Sequence, residues 1–179
     1  MAIPIATAAL SLPAATLESP AVTVSGNFDR TPQLCKLPQF DDTLGELQSI
    51  KVVISGITVE NDLVVWSSNA LPMSYTLGID ETITVCRPSA ELAAYHWHDT
   101  FTDTLPPGAS RRSSHVLTGQ PCTLVYDQPI DLDEFTGNGS CDFTVSTSSS
   151  AEGEFPPNSG VQYWGSASIS IQVIYSYDP

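Results

Sequence analysis

The residues best suited to chemistry in this chain are its histidines. His96 and His98 flank Trp97 and precede Asp99, and His115 lies further along. If that segment is extended, His96 and His98 project from one face and could share Zn²⁺ or Cu²⁺, with Asp99 or His115 completing the ligand set. The competing reading is an exposed loop between sheets, with Trp97 packed down and both imidazoles in water. Acidic pairs offer a second chemistry. Asp41 with Asp42, Asp131 with Asp133 and Glu134, and Glu152 with Glu154 could hold Ca²⁺ through oxygen, but none has EF-hand spacing. Calcium is the one cofactor left open, and no other is expected. Nucleophilic catalysis needs a base beside an activated Ser or Cys, and no G-x-S-x-G motif occurs. A non-catalytic protein is expected. Trp66, Trp97, Trp164 and Tyr163 could form a sugar-stacking platform, against which Trp66 and Trp164 also read as core or edge packing.

Any such site must be carried by strands. Short runs alternate with period two at 21–24, 49–54, 75–79, 82–85, 142–145 and 168–177. They are rich in β-branched residues and punctuated by Gly, Pro and Asn. In the last run Ile169, Ile171, Val173 and Tyr175 share one face, while Ser168, Ser170, Gln172, Ile174 and Ser176 share the other, so one face is core and one is wet. No long amphipathic pattern intervenes. The expected fold is all-β, an antiparallel β-sandwich of jelly-roll or Ig-like layering with at most one or two short helices. The helix candidates are Asp131–Phe135 and the segment from Pro88 to Tyr95, where Ser89 could cap. Thr144 to Ser150 reads as a strand running into a loop, and Asn138-Gly139 as a turn rather than a glycosylated sequon.

Six cations against 20 acidic residues give 179 residues a net charge of −14, which repels phosphate chains and anionic lipid. Nucleic-acid partners are excluded on that ground. No stretch approaches 18 consecutive apolar residues, so no membrane span is expected. Ser and Thr together number 39, against charged residues at 15%. Such a hydroxyl-rich, lysine-poor surface fits a secreted protein, although the N-terminus lacks the basic stretch of a standard signal peptide. In that setting the even set Cys35, Cys86, Cys122 and Cys141, with no C-x-x-C pair, is expected to form disulfides of undetermined pairing, with four buried thiols as the alternative.

Two segments carry a family resemblance. Leu37-Pro38-Gln39-Phe40-Asp41-Asp42-Thr43-Leu44-Gly45-Glu46-Leu47, followed by an alternating strand, resembles the L-P-x-F-D-x-x-L-G-x-L opening of the choice-of-anchor E domain family. Asp131-Leu132-Asp133-Glu134-Phe135-Thr136-Gly137-Asn138-Gly139 resembles that family's D-L-x-x-F-T-G-x-G signature. The resemblance runs from about Pro20 to Tyr177 and implies an exported bacterial surface domain with no established activity. The four cysteines, the Tyr95–His98 segment and the ending at Pro179 without a sorting anchor depart from the pattern. Read from the residues alone, Phe40, Leu44 and Leu47 can plug the end of a sandwich. Gly45 allows a turn that a β-carbon would hinder, and Asp41 can cap it.

Residues 1–19 form an apolar arm ahead of a single sandwich domain, 20–179. Ile3, Ile5, Leu10, Leu12 and Leu17 are interspersed with Ala and Thr, and Glu18 is the arm's only charge. Such an arm must bury its side chains, either on its own sheet or in a neighbour's as a donated strand. The expected function is that of a non-catalytic extracellular structural protein, a cell-surface or matrix subunit whose partner is itself. The alternative is a secreted module that binds surface glycans.

Overall fold

The structure is a computed structural model that describes residues 13–27 and 32–179. Among the described residues ten strands, with one short helix, form two antiparallel sheets packed face to face, an all-β sandwich. In the first sheet the long central strands β4 (Glu46–Ser67) and β10 (Ser159–Asp178) pair along most of their length. β1 (Ala15–Glu18) and β2 (Val22–Gly26) lie end to end along the outer side of β10. β7 (Ser110–Thr118) and β8 (Cys122–Tyr126) do the same along β4. The second sheet has the order β3 (Gln33–Pro38), β9 (Ser140–Glu154), β5 (Met73–Arg87), β6 (Ala90–Leu105).

Alternation dictates which side chains enter the core. On β10 Ile169, Ile171, Val173 and Tyr175 are buried, as the sequence pattern requires. On β4 the buried set is even-numbered at Ile50, Val52 and Ile54, then odd-numbered at Ile57, Val59, Leu63 and Val65. The switch is a bulge at Gly56, whose φ of +59° suits glycine, where the pairing with β10 shifts between Ser168 and Ser170. The runs 75–79 and 82–85 prove to be parts of one strand, β5.

Two expectations are corrected. The segment from Pro88 to Tyr95 is a hairpin turn entering β6, because pairing with β5 outweighs the local helix preference of Ala90–Ala94. Thr144–Ser150 remains strand, and β9 continues to Glu154 against β5. The helix α1 (Pro129–Phe135) forms where the sequence placed it.

The two poles of the sandwich differ. At one, the β4–β5, β6–β7 and β9–β10 turns are tied by backbone bonds from Ser67 to Ala109, Ser68 to Asn158 and Gly108 to Asn69. The other holds the two motifs of the resemblance. Phe40 N–H donates to the Phe135 carbonyl at 2.8 Å, and Gly137 N–H donates to the Phe40 carbonyl at 2.9 Å. Phe40, fully buried, packs on Tyr175 and Tyr177 at ring-centre distances of 5.7 and 5.1 Å. Asp41 caps the 3₁₀ turn Asp42–Leu44 by accepting from Thr43 N–H at 2.9 Å. A β-carbon on Gly45, at φ +146°, would lie 2.0 Å from the Asp178 carbonyl oxygen. Leu47 packs against the core, but Leu44 is 43% exposed: the turn that Gly45 permits swings it outward, so it plugs nothing.

Candidate functional site

The polar centre of the motif pole is Arg87, at the end of β5. Its guanidinium bonds Asp131, lies 3.1 Å from Glu134 and stacks 4.8 Å over the Tyr126 ring. Burial weakens the charged form, but the Asp131 bond and the two carboxylates more than offset it and raise the Arg87 pKa. Ser89 Oγ donates to Glu134 at 2.7 Å, and the Gln39 side chain bridges the Glu134 carbonyl and Gly139 N–H. Asp131, Leu132, Phe135 and Gly137 thus fasten α1 across the sandwich end. Leu37 and Phe135 are buried, and the Pro38 carbonyl accepts from Tyr175 Oη at 2.7 Å. These residues hold the fold together at this pole. No local pattern of residues points to Arg87, whose partner Asp131 lies 44 positions away.

The histidine constellation does not converge. In β6, His96 and His98 do share the outward face, with His96 bonded to Thr82 and His98 to Asp80 at 2.9 and 2.7 Å. Asp99, one residue on, turns to the inner side by strand alternation. His115 sits on β7 against Phe101, ring centres 4.4 Å apart, on the inner side of the other sheet. Among the described residues no three His, Cys, Asp or Glu side chains form a metal-sized group. Of the acidic pairs, Asp41 is taken up by its cap and Asp131 with Glu134 by Arg87.

The expected disulfides are also absent. Cys35, Cys86, Cys122 and Cys141 are free thiols. Register explains the nearest pair: Cys35 lies opposite Phe143 and Cys141 opposite Leu37, which sets the two sulfurs diagonally rather than face to face. Burial pushes the Cys35 thiol up to about 11; Cys141 reaches about 11 chiefly for the same reason. Cys122 accepts from Tyr95 Oη at 3.3 Å, tying β6 to β8.

Two surfaces remain with binding potential. The first is the β6 flank. Among the described residues β6 is the last strand of its sheet, and its inward Tyr95, Trp97 and Phe101 are only half-buried. The second is the outer face of the first sheet, where Trp66 and Trp164 are 39% and 42% exposed. Neither tryptophan is core, because both occupy outward positions; Trp97 and Tyr163 face inward and leave the platform to the other two. Beside Trp164, Asp62 accepts from Arg112 at 2.8 and 3.3 Å and from Ser114. The Arg112 bond, then the Ser114 hydroxyl, holds the Asp62 carboxyl below the usual carboxylate range.

The arm divides. Ile3, Ile5, Leu10 and Leu12 lie outside the described residues, whereas Leu17 belongs to β1, opposite Tyr175 of its own chain. The first sheet therefore begins at Ala15, inside the segment read as arm.

No protein-family profile matches this chain, and no curated protein does. Among solved structures it is similar to the T13 particle of infectious bursal disease virus, at 15% identity and a TM-score of 0.22 over 99% of its length. The Gx strain of that virus gives 10% and 0.23, and particles described as T=1 give 13% and 0.23. The chain spans 39%, 41% and 40% of those chains. Likeness at this level carries no argument about function. No helix among the described residues is long and apolar enough to cross a membrane.

Proposed function

We propose that this chain is a non-catalytic structural subunit of a cell surface or extracellular matrix, assembled by donating its N-terminal arm to a neighbouring copy. The observation that carries the reading is the β6 edge, which spans 16 residues and shows no further strand beside it among those described. A long edge with half-buried aromatics behind it is a template for an added strand. Docking in the plane of the sheet would cover Tyr95, Trp97 and Phe101.

The arm has suitable length and pattern. β1 starts opposite Tyr177, at the motif pole. Extended, twelve residues reach about 40 Å. Pro4 and Pro13 interrupt ladder bonding and leave Ile5–Leu12 as the segment able to pair. Within it Leu10 and Leu12 share one face, the face that would meet the β6 aromatics. The resemblance to an exported surface family and the hydroxyl-rich surface support the extracellular setting.

The test compares the full chain with one lacking residues 2–12, which leaves β1 intact. Electron microscopy and size exclusion with light scattering should show filaments from the first and a folded monomer of about the same spectrum from the second. A monomeric full chain, or a truncated chain that unfolds, would sink the proposal.

A further inference from the structure

We infer that the outer face of the β4–β10 sheet binds a neutral oligosaccharide, with Trp66 and Trp164 as its two stacking surfaces. This goes beyond the assembly proposal and rests on different residues. Trp66 lies opposite Gly160, and Trp164 opposite Asp62. A β-carbon on Gly160 would come within 3.1 Å of the Trp66 ring, so the indole lies flat on the bare glycine backbone with its other face turned to solvent. Trp164 is fixed differently. The Arg112 guanidinium sits 5.8 Å from its ring centre, and Arg112 is in turn held by Asp62, which also accepts a bond from Trp164.

Both rings are thus positioned before any ligand arrives, which lowers the entropy lost on binding. Four residues of strand separate them, about 13 Å, longer than one sugar ring and suited to an oligosaccharide. Gln162 occupies the outward position between them and offers an amide to ring hydroxyls. Beside Trp164 a cleft of about 540 Å³ is lined by Glu60, Asp62, Arg112 and Ser114. Flat aromatic faces bordered by planar polar groups recognise the alternating apolar and hydroxyl faces of a pyranose. Charge selects the class. Arg112 is already neutralised by Asp62, Glu60 has no ion-pair partner among the described residues, and the chain carries −14, so anionic polysaccharide is repelled.

The test titrates the full chain with cellohexaose, maltohexaose and N-acetylchitohexaose, with polygalacturonate as the anionic control, following tryptophan fluorescence and heat. At least one neutral hexaose should bind, and W66A and W164A should each weaken it about tenfold while far-ultraviolet circular dichroism stays unchanged. Gly160→Val should lift Trp66 and weaken binding similarly, whereas W97F, on the inner face, should not. Three outcomes would overturn the inference: no response to any neutral hexaose at millimolar concentration, unaltered affinity in W66A, or a preference for polygalacturonate. Concentration-dependent dimerisation abolished by W66A would instead assign this face to a second copy and overturn it equally.

Discussion

Replacing Arg87 by methionine probes the motif pole most directly. The guanidinium holds Asp131 and Glu134 together beneath Tyr126, and its side chain is only 11% exposed, against 20% and 24% for the two carboxylates. Methionine keeps most of the volume and removes the charge, leaving two carboxylates facing each other at a mostly buried position. Breaking one side of a buried ion pair costs about 3–5 kcal/mol. The carboxylates' partial exposure lets water return and argues for the lower end, to which the lost stacking on Tyr126 adds about 0.5–1 kcal/mol. We therefore expect R87M to lose about 3–4 kcal/mol in urea unfolding. In a domain of this size that lowers Tm by roughly 10 °C. The triple variant R87M/D131N/E134Q should recover most of the loss. Replacing a whole buried charge cluster is often near neutral, and in this one Arg87 Nε and Glu134 Oε1 have no hydrogen-bond partner among the described residues. Stability within about 0.5 kcal/mol of wild type for R87M, or a triple variant no better than the single one, would refute this reasoning.

Other consequences are quickly checked. Gly45→Ala, which sets a β-carbon 2.0 Å from the Asp178 carbonyl oxygen, should cost more than 2 kcal/mol, whereas Gly108→Ala, at φ +65° with nothing within 4 Å, should cost about 1–2 kcal/mol; thermal unfolding separates them. The folded chain should leave Cys35 and Cys141 unreactive toward a thiol reagent at pH 8, and the unfolded, unreduced chain should titrate four thiols; fewer than four would restore the disulfide reading. Because those two thiols titrate near 11 in the fold, the stability they contribute is intact below the unfolded thiol pKa of about 8.5 and is lost as pH rises toward 11, visible in urea midpoints. Asp62 has the opposite sign: its contribution stands above the unfolded pKa of about 3.9 and disappears as pH falls through its lower folded value. A carboxyl NMR titration should place its midpoint below 3.9, and R112A should return it upward.

Much of the motif pole was legible. Phe40 announced itself as a plug, Asp41 as a cap and Gly45 as a turn, because each acts on backbone within a few residues of itself. Leu44 was misread because the same turn decides which way it points. The exposed tryptophans were visible as residue types but not as a pair, since a tryptophan in a strand reads equally as core or surface until the strand's phase is known. The bulge at Gly56 sets that phase for Trp66: without it the even-numbered face of β4 would have stayed inward, Trp66 with it.

The sequence alone determined the all-β class, the polar faces of the strands, the helix at Asp131–Phe135 and the net charge of −14. Alternation, turn chemistry and net charge are properties of neighbouring residues or of their sum. Tertiary structure alone decided that Arg87 meets Asp131, that Asp62 meets Arg112, that Asp99 and His115 stay away from His96 and His98, and that the four thiols do not pair. Each of those depends on strand register across the sheets, and a slip of one residue exchanges the two faces of a strand. Register is fixed by the packing of both sheets together, which no local pattern of residues contains.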